Sequence, residues 1–260
     1  MPRPTLRLDA SSPSIIVPIT ARDLPGLEEA ASEVAAVGPG EAGRGPFDAV
    51  EWRVDLYAPF TAGAGSDPAP AVTALERLAA LLADTPILAT FRTTAEGGDA
   101  QITDEGYVGL VETLAATGLA AAIDVEYRHP HADQAIAAAA RHGIAVVASN
   151  HDFDATPPVE EIVARLEAME AAGADVAKIA VMPHSAADVV TLIDATQRRH
   201  RDAGIPLITM SMGSMGAVTR LGGGAFGSAA TFATLGAASA PGQLPATGVR
   251  AALDLLHRAD

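Results

Sequence analysis

Apolar residues follow two alternating patterns from Ser14 onward. Short runs rich in β-branched residues predict strands, and the longer Ala- and Leu-rich segments between them, whose apolar positions recur with a helical period, predict helices. The predicted strands are residues 15–19, 49–55, 86–92, 121–126, 144–149, 175–182, 206–211 and, approximately, 225–230. The predicted helices are residues 24–37, 71–83, 104–117, 131–142, 158–172, 186–203, a short helix near Met215, and 246–257.

Strands that alternate with helices imply a parallel sheet, because each helix returns the chain to the same edge. Eight such units are the number that closes into a (β/α)8 barrel, the TIM barrel, whose chemistry collects at the carboxyl ends of the strands. An open, doubly wound sheet is the alternative architecture. Two Gly/Pro-rich stretches, 38–46 and 58–70, are predicted to be surface loops rather than linkers. Residues 1–260 are therefore expected to form a single barrel domain of the α/β class, with 1–13 as an N-terminal extension.

The composition narrows the classes of function. The 260 residues are 49% hydrophobic and 19% charged, which excludes global disorder, and they carry 17 Lys and Arg against 32 Asp and Glu, a formal net charge of −15. Such an acidic chain repels the phosphate backbone, so nucleic acid is not expected as a partner. The absence of cysteine excludes disulfides, a thiolate nucleophile and Cys-ligated metal. The apolar run 15–17 ends at Pro18 and is too short for a signal peptide or a membrane span, so a cytoplasmic location without membrane association is expected.

One lysine stands out among the basic residues. Sixteen of them are arginine, and the single lysine, Lys178, lies within an apolar predicted strand. A lysine amine can lose its proton on burial and attack a carbonyl, whereas a guanidinium stays charged and is a poor nucleophile. The alternative explanation is that Lys178 is a lysine that has escaped replacement by arginine by chance. A lysine without a function would be expected on the surface and not in an apolar strand. We therefore expect Lys178 to be functional.

Polar residues also lie inside other predicted strands or directly after them. Glu51 and Arg53 share one face of the second strand because they are two residues apart, and Trp52 points to the other face. His151 precedes Lys178 by 27 residues, about one βα unit, which places the two on adjacent strands and favours a catalytic pair. The other side chains at such positions are Arg92, Glu96, Asp124, Glu126, Met210, Met212 and Arg220.

Structural interpretations stay open for some of these residues. Glu51 with Arg53 is suited to a buried ion pair between barrel layers. Arg92 with Asp124 and Glu126 is equally suited, and for these two carboxylates the ion-pair interpretation is favoured. A lone histidine after a strand often only caps the next helix, which is the structural alternative for His151.

Two further patterns do not indicate sites. Residues 222–227 satisfy G-x-G-x-x-G, but no βαβ unit with an acidic ribose ligand follows, so a flexible loop is predicted. His151, Asp152 and Asp154 are close in sequence, yet no second histidine is placed to complete a metal site. A metal is therefore not favoured.

Several short strings occur in an order typical of one family. They are EWRVD at 51–55, TFR at 90–92 with EGG at 96–98, SNHDF at 149–153, KIAVMP at 178–183, ITMSM at 208–212, and FGSAATF at 226–232 with SAPGQ at 239–243. Each string is weak alone, but the ordered set resembles the type I 3-dehydroquinate dehydratase family from about Ile15 to the C terminus. Pro18 departs from the pattern, because family members often place a small hydroxyl residue there.

This resemblance implies a barrel that converts 3-dehydroquinate to 3-dehydroshikimate by syn elimination of water, in the shikimate pathway of aromatic amino acid biosynthesis, with no metal or organic cofactor. It implies that Lys178 forms a Schiff base, that His151 acts as general acid and base, and that Glu96 orients His151. Positions that match substrate-binding residues are Glu51, Arg53, Arg92, Arg220, Ser239 and Gln243. The family is commonly homodimeric, so a homodimer is a further expectation.

Two other functions share parts of this pattern. A class I aldolase would use the same lysine and barrel, but it needs an acid for carbon–carbon cleavage and usually a phosphate site, and no Gly-rich phosphate cradle is evident near the last strands. A non-catalytic barrel that binds a quinate-like ligand would not need Lys178, His151 and Glu96 together. Both are alternatives to the dehydratase.

Overall fold

Strands and helices alternate along the chain in the computed structural model, which describes residues 4–39, 45–63, 67–236, 240 and 242–257. The strands are β1 Ser14–Ile19, β2 Ala49–Arg53, β3 Ile87–Thr90, β4 Ala122–Glu126, β5 Ala145–Asp152, β6 Val176–Val181, β7 Leu207–Ser211, β8 Ala230–Thr234 and β9 Leu244–Pro245. The helices are α1 Leu24–Val37, α2 Ala58–Thr61, α3 Ala69–Leu81, α4 Asp104–Ala116, α5 Ala132–Arg141, α6 Val159–Ala171, α7 Ala186–Asp202, α8 Ala217–Gly222 and α9 Ala246–His257. None of these described helices is long and apolar enough to cross a membrane.

Neighbouring strands pair in parallel, in the order β7-β6-β5-β4-β3-β2-β1-β8-β9. The ring closes between β7 and β8 through a parallel bridge of Leu207 with Ser228, where the backbone N–H of Ala229 donates to the carbonyl of Leu207 over 2.7 Å. The two-residue β9 pairs with β8. The architecture is therefore the predicted single-domain (β/α)8 barrel and not an open sheet.

Side chains alternate between the inside and the outside of the barrel along each strand. On β2, Trp52 packs outward in the large apolar cluster between strands and helices, as predicted, whereas Ala49 belongs to a smaller cluster inside the barrel. Leu6 and Leu8, which precede β1, pack against this inner cluster. The first inward residues of successive strands share this apolar character, and they include Ile16, Ala49, Leu88, Ala122, Val147, Val176, Ile208 and Ala230.

The next inward positions, two residues further along each strand, are polar on most strands. Glu51 follows Ala49, Thr90 follows Leu88, and Lys178 follows Val176. The barrel interior therefore changes from apolar at the amino ends of the strands to charged at their carboxyl ends. This gradient places the candidate chemistry at one mouth of the barrel.

The eighth strand was predicted at the wrong place. It begins at Ala230 and not near Ala225, because Gly223–Phe226 forms a 3₁₀ turn and Gly227 adopts a left-handed conformation with φ of 107°. The β-favouring residues of the strand, Thr231 and Phe232, come directly after the predicted segment.

Other segments also differ from prediction, and two of them bear on the site. The predicted surface loop 58–70 contains the short helix α2, whose Phe60 is 1% exposed and anchors it to the core. Strand β5 continues to Asp152, so His151 is part of the strand and pairs with Ala180 of β6.

Candidate active site

A pocket opens among the carboxyl ends of the barrel strands. Its charged and polar lining consists of Glu51, Arg53, Arg92, Glu96, His151, Lys178, Arg220 and Gln243, and its apolar lining includes Phe153, Ala180, Met210, Met212 and Phe232. Every site residue predicted from the sequence lines this pocket except Ser239, which lies outside the described residues.

Lys178 sits in the middle of β6 and is 3% exposed. Its Nζ lies 3.2 Å from Oδ2 of Asp124 and 3.4 Å from Oε1 of Glu51, and 4.4 Å from the centre of the Phe232 ring. The two carboxylates and the aromatic face hold the amine at one place inside the barrel. A carbonyl group that enters the pocket therefore meets a single, immobilised primary amine.

His151 lies on the strand next to Lys178, as the spacing predicted. Ser149 of β5 is in register with Lys178 of β6, so His151 stands two residues, or about 6.6 Å, further toward the mouth. Burial lowers the pKa of His151 well below its ordinary value, and the positive charges of Arg92, Lys178 and Arg53 act in the same direction. The imidazole is therefore neutral at pH 7 and available as a base.

Glu96 reaches His151 from the 3₁₀ turn Thr94–Glu96 that follows β3. Its Oε2 accepts the backbone N–H of His151 over 2.9 Å and lies 3.0 Å from Nδ1 of the same ring, while Oε1 accepts an Asn150 N–H over 3.0 Å. Burial raises the pKa of Glu96 to about 7, although Arg92 opposes that shift. With Nδ1 turned to Glu96, Nε2 is the ring nitrogen left for the pocket.

Arg92 ties three strands together beneath this pair. Its Nη2 donates to Oδ1 of Asp124 over 2.8 Å, and its Nη1 donates to Oε1 of Glu126 over 2.9 Å and to Oγ of Ser149 over 3.0 Å. The ion-pair interpretation of Asp124 and Glu126 is thus confirmed. Burial alone would raise the pKa of Asp124, but the charges of Arg92 and Lys178 hold it below its ordinary value, so Asp124 is ionised beside the amine.

The alternative interpretation, in which Glu51 and Arg53 form an ion pair with each other, is not what the structure shows. Arg53 instead forms a two-pronged ion pair with Asp55, with Nε and Nη2 at 2.8 and 2.7 Å from the two carboxylate oxygens. The reason is local, because β2 ends at Arg53 and the following 3₁₀ turn brings Asp55 back toward it. Glu51 accepts from Thr90 over 3.0 Å and contacts Lys178.

Arg220 approaches the pocket from α8 and is 2% exposed. Its Nη1 donates to the carbonyl of Phe232 over 3.3 Å and lies 3.7 Å from Sδ of Met210. Burial lowers the pKa of Arg220 to about 10, which leaves the guanidinium charged at neutral pH. It is therefore a cation held against an apolar wall, as a carboxylate-binding group requires.

Sequence reasoning missed two residues that support the His151–Glu96 pair. Asn150 stands directly before His151 in the chain, a position that could have drawn attention to it. Arg165, which donates to Oδ1 of Asn150 over 3.0 Å, gives no such signal, because it lies on a different element 15 residues away. Among the described residues, no group of three or more His, Asp or Glu side chains is arranged to hold a metal ion.

Comparison with known proteins gives consistent matches. A family model for type I 3-dehydroquinase matches residues 15–260. The 3-dehydroquinate dehydratases of Listeria welshimeri and Escherichia coli are 46% and 40% identical over 249 and 257 residues, which are 95% and 98% of this chain and 94% and 97% of those proteins. A crystal structure of type I 3-dehydroquinate dehydratase from Clostridium difficile, with covalently modified comenic acid, superposes with a TM-score of 0.87 at 36% identity and covers 96% of this chain and 94% of that one. The enzyme from Enterococcus faecalis gives a TM-score of 0.84 at 35% identity, with 96% of both chains covered.

Proposed function

The chain belongs to the type I 3-dehydroquinase family, and from that premise we propose that it dehydrates 3-dehydroquinate through a Schiff base on Lys178. Its identity to curated 3-dehydroquinate dehydratases over 95% of its length makes it a lyase of that activity. The observation that carries the Schiff-base mechanism is the buried Nζ of Lys178, which lies at the carboxyl end of the barrel with the His151 imidazole on the adjacent strand.

Substrate binding depends on local charge, because an anionic substrate approaches a chain with a net charge of −15. The substrate carboxylate pairs with the guanidinium of Arg220, which can present two parallel N–H donors. Glu51, Arg53 and Arg92 order the ring hydroxyls around the amine, and Gln243 closes over the ring from the segment before β9. Ser239 is assigned to the same role by family resemblance.

The first chemical step joins enzyme and substrate. The amine of Lys178 passes one proton to the neutral imidazole of His151 and adds to the ketone carbon. The carbonyl oxygen takes a second proton from the nitrogen and recovers the first from the imidazolium, and it then leaves as water, so that a C=N⁺ iminium remains. Asp124 and Glu51 lie beside the nitrogen, so they stabilise its positive charge before and after the condensation. The iminium then acts as an electron sink for the neighbouring carbon.

The second step removes water from the ring. Nε2 of His151 takes the proton from the carbon next to the iminium. The electron pair of that C–H bond forms a C=C bond, and the π pair of the C=N bond moves onto the nitrogen, which gives an enamine. The enamine then expels the hydroxyl from the next carbon, and this group takes the same proton from the imidazolium as it leaves as water. The C=N⁺ bond re-forms in this step, and a second water hydrolyses the conjugated iminium, which releases the product and restores the amine of Lys178. One base that serves both half-steps produces syn elimination. Glu96 accepts a hydrogen bond from Nδ1–H of His151 and stabilises the imidazolium that exists between the two half-steps.

Borohydride trapping tests this mechanism directly. Incubation with 3-dehydroquinate and borohydride should add the mass of the reduced substrate or product to the peptide that contains Lys178, and Lys178→Arg should abolish both the adduct and turnover. His151→Ala should still form the adduct while the enone absorbance of the product rises far more slowly. Turnover by a protein whose Lys178 stays unmodified would refute the proposal.

The same experiment separates the alternative functions. A ligand-binding barrel would bind 3-dehydroquinate saturably without any rise in enone absorbance. A class I aldolase would release a shorter carbonyl fragment, which mass spectrometry of the small-molecule products detects. The sequence relationship favours the dehydratase over both alternatives, and the absorbance assay tests that choice.

We also infer a place in the shikimate pathway of aromatic amino acid biosynthesis and a homodimeric state from family membership. Both follow from the family resemblance and not from any contact in the described residues. Light scattering after size exclusion distinguishes the 26.3 kDa monomer from a species of twice that mass. Loss of growth without aromatic amino acids, on deletion of the gene, would support the biosynthetic role.

A further inference from the structure

A chain of hydrogen bonds connects an outer helix with the imidazole of His151. It begins at Arg165 on α6, which is 9% exposed and whose Nη1 donates to Oδ1 of Asn150 over 3.0 Å. Nδ2 of Asn150 donates to Oε1 of Glu96 over 3.0 Å, and Oε2 of Glu96 lies 3.0 Å from Nδ1 of His151. Asn150 can make both contacts because it points to the outer face of β5, between the inward Ser149 and His151.

The two neighbours of Asn150 dictate which way its carboxamide faces. A guanidinium can only donate hydrogen bonds and an ionised carboxylate can only accept them. The amide oxygen must therefore face Arg165, and the amide nitrogen must face Glu96. A flipped amide would set its oxygen against the Glu96 carboxylate, an arrangement that becomes favourable only if Glu96 carries a proton.

We propose that Arg165 is a positioning residue for the dehydration, which fixes the carboxamide of Asn150 so that Glu96 remains a hydrogen-bond acceptor for Nδ1 of His151. This role rests on the proposed function, in which His151 is the base and Glu96 orients it, and Arg165 in turn positions Glu96 through Asn150. Arg165 touches neither substrate nor reacting atoms and acts only through Asn150.

Arg165 is held in place independently of Asn150. Its Nε donates to Oε1 of Glu161 over 2.9 Å, and its Nη1 also lies 3.2 Å from Oδ2 of Asp152. The guanidinium is thus anchored by two carboxylates and presents a fixed donor to the amide. Loss of Arg165 would release the amide and leave both carboxylates with their backbone and surface partners.

Other charges also act on Glu96. Arg92 lies 3.5 Å away and favours its ionised form, whereas the negative charges of Glu126 and Asp124 favour its protonated form. The Asn150 donor adds to the effect of Arg92, and these contributions together oppose the burial that raises the pKa of Glu96 to about 7. Loss of the hydrogen bond from Asn150 therefore raises the pKa of Glu96 further and favours its protonated form.

The test compares Arg165→Met with Arg165→Lys. In Arg165→Met, we expect kcat to fall by about tenfold, the equivalent of one hydrogen bond to a charged group, while KM stays within about twofold. The acidic limb of kcat/KM should move about one pH unit higher, because Glu96 then keeps its proton to a higher pH. Arg165→Lys retains a charged donor, so it should restore most of kcat and the wild-type pH profile.

A matched control and a double variant separate this role from a purely structural one. Arg128→Met removes a surface arginine that lies 3.6 Å from the same Glu161 but does not contact Asn150, and it should leave the pH profile unchanged. In a Glu96→Gln background, Arg165→Met should cause no further loss of kcat. The proposal is overturned if Arg165→Met lowers kcat in the Glu96→Gln background by the same factor as in the wild type. It is also overturned if the pH profile of kcat/KM of Arg165→Met superposes on that of the wild type.

Should Arg165→Met fail to fold, Asn150→Ala tests the same link from the other side. It removes the donor to Glu96 and leaves Arg165 its bonds to Asp152 and Glu161, so the acidic limb should move in the same direction; an unmoved limb overturns the proposal. Borohydride trapping on the wild type distinguishes the two levels of inference. Absence of a Lys178 adduct refutes the proposed function, whereas a normal adduct with an unshifted profile refutes only the role of Arg165.

Discussion

Nδ1 of His151 and Oε2 of Glu96 lie 3.0 Å apart, and the surroundings push their pKa values in opposite directions. Burial lowers the pKa of the imidazole and raises that of the carboxyl to about 7. Because the two groups are coupled, they titrate as a pair, and the pair gains or loses a proton close to neutral pH. The proposed mechanism needs that proton to be absent before substrate binds.

This relationship predicts the pH dependence of catalysis. Below about pH 7 the protonated Glu96 donates to Nδ1, which leaves the hydrogen of the ring on Nε2 and blocks its use as a base. We therefore expect kcat/KM to rise with pH through about 7. Glu96→Gln should lower kcat by about 10²-fold and remove this limb, as steady-state rates measured between pH 5 and 9 would reveal. Glu167→Gln, an exposed change on α6, serves as control, and persistence of the limb in Glu96→Gln would contradict the assignment.

The same carboxyl predicts a pH dependence of stability. The pKa of Glu96 is higher in the folded state than in the unfolded state, so folding favours the protonated carboxyl. The stabilisation of the folded state that results is fully present at low pH and is lost as pH rises through about 7. The free energy of unfolding of the wild type, relative to that of Glu96→Gln, should therefore fall by on the order of 2 kcal/mol between pH 5 and pH 9. Urea unfolding at both pH values measures this difference, and a constant offset would argue against it.

Arg92 is expected to be the most sensitive charged residue for stability. Arg92→Met leaves Asp124, Glu126 and Glu96 buried without their common cation, which should cost about 3–5 kcal/mol of unfolding free energy. The matched control is Arg22→Met, whose ion pair with Asp99 is exposed and contributes less than about 1 kcal/mol. Urea unfolding measures the loss of unfolding free energy in each variant. Equal losses would show that the burial of the Arg92 ion pairs does not increase their contribution to stability.

Gly97 is predicted to be sensitive to an added side chain, both because its φ is positive and because Phe153 lies beside it. Its φ is 83°, and an added Cβ would lie 2.6 Å from a carbon of the Phe153 ring, which stacks near His151. Gly97→Ala should therefore lower both stability and kcat, since it displaces the turn that carries Glu96. Gly118→Ala is the matched control, with φ of 62° and open space around the Cβ, and should cost only about 1 kcal/mol of backbone strain without change in kcat.

A second substitution tests the cause of the Gly97 effect. If the clash is responsible, Phe153→Ala in the Gly97→Ala background should recover part of the lost stability, although the strain at positive φ remains. No recovery would assign the whole loss to the backbone. Thermal unfolding of the single and double variants decides between these outcomes.

The alternation of apolar and polar positions was enough to predict the barrel and the inward face of several strands. Glu51 and Trp52 point in opposite directions, as a period of two requires, and most predicted boundaries lie within a few residues of the observed ones. The eighth strand was misplaced because the small residues before it have no strong preference, and the turn that ends in Gly227 replaces the start of the predicted strand.

Local spacing was a poor guide to side-chain partners. The spacing of Glu51 and Arg53 left an ion pair between them open, but the turn after β2 brings Asp55 to Arg53 instead. Asn150 and Arg165 were missed because their importance comes from Glu96, which lies 54 residues before Asn150 in the chain and meets it only in the folded barrel.

The chain alone determined the alternation of strands and helices, the single lysine in an apolar strand and the spacing of that lysine from His151, because all three are properties of residue order. Only the closed barrel decided which carboxylates face Lys178, which group holds the His151 ring and how strongly each is desolvated. Those features depend on distances between strands and on exclusion of water, and both arise when the ring of strands closes and packs.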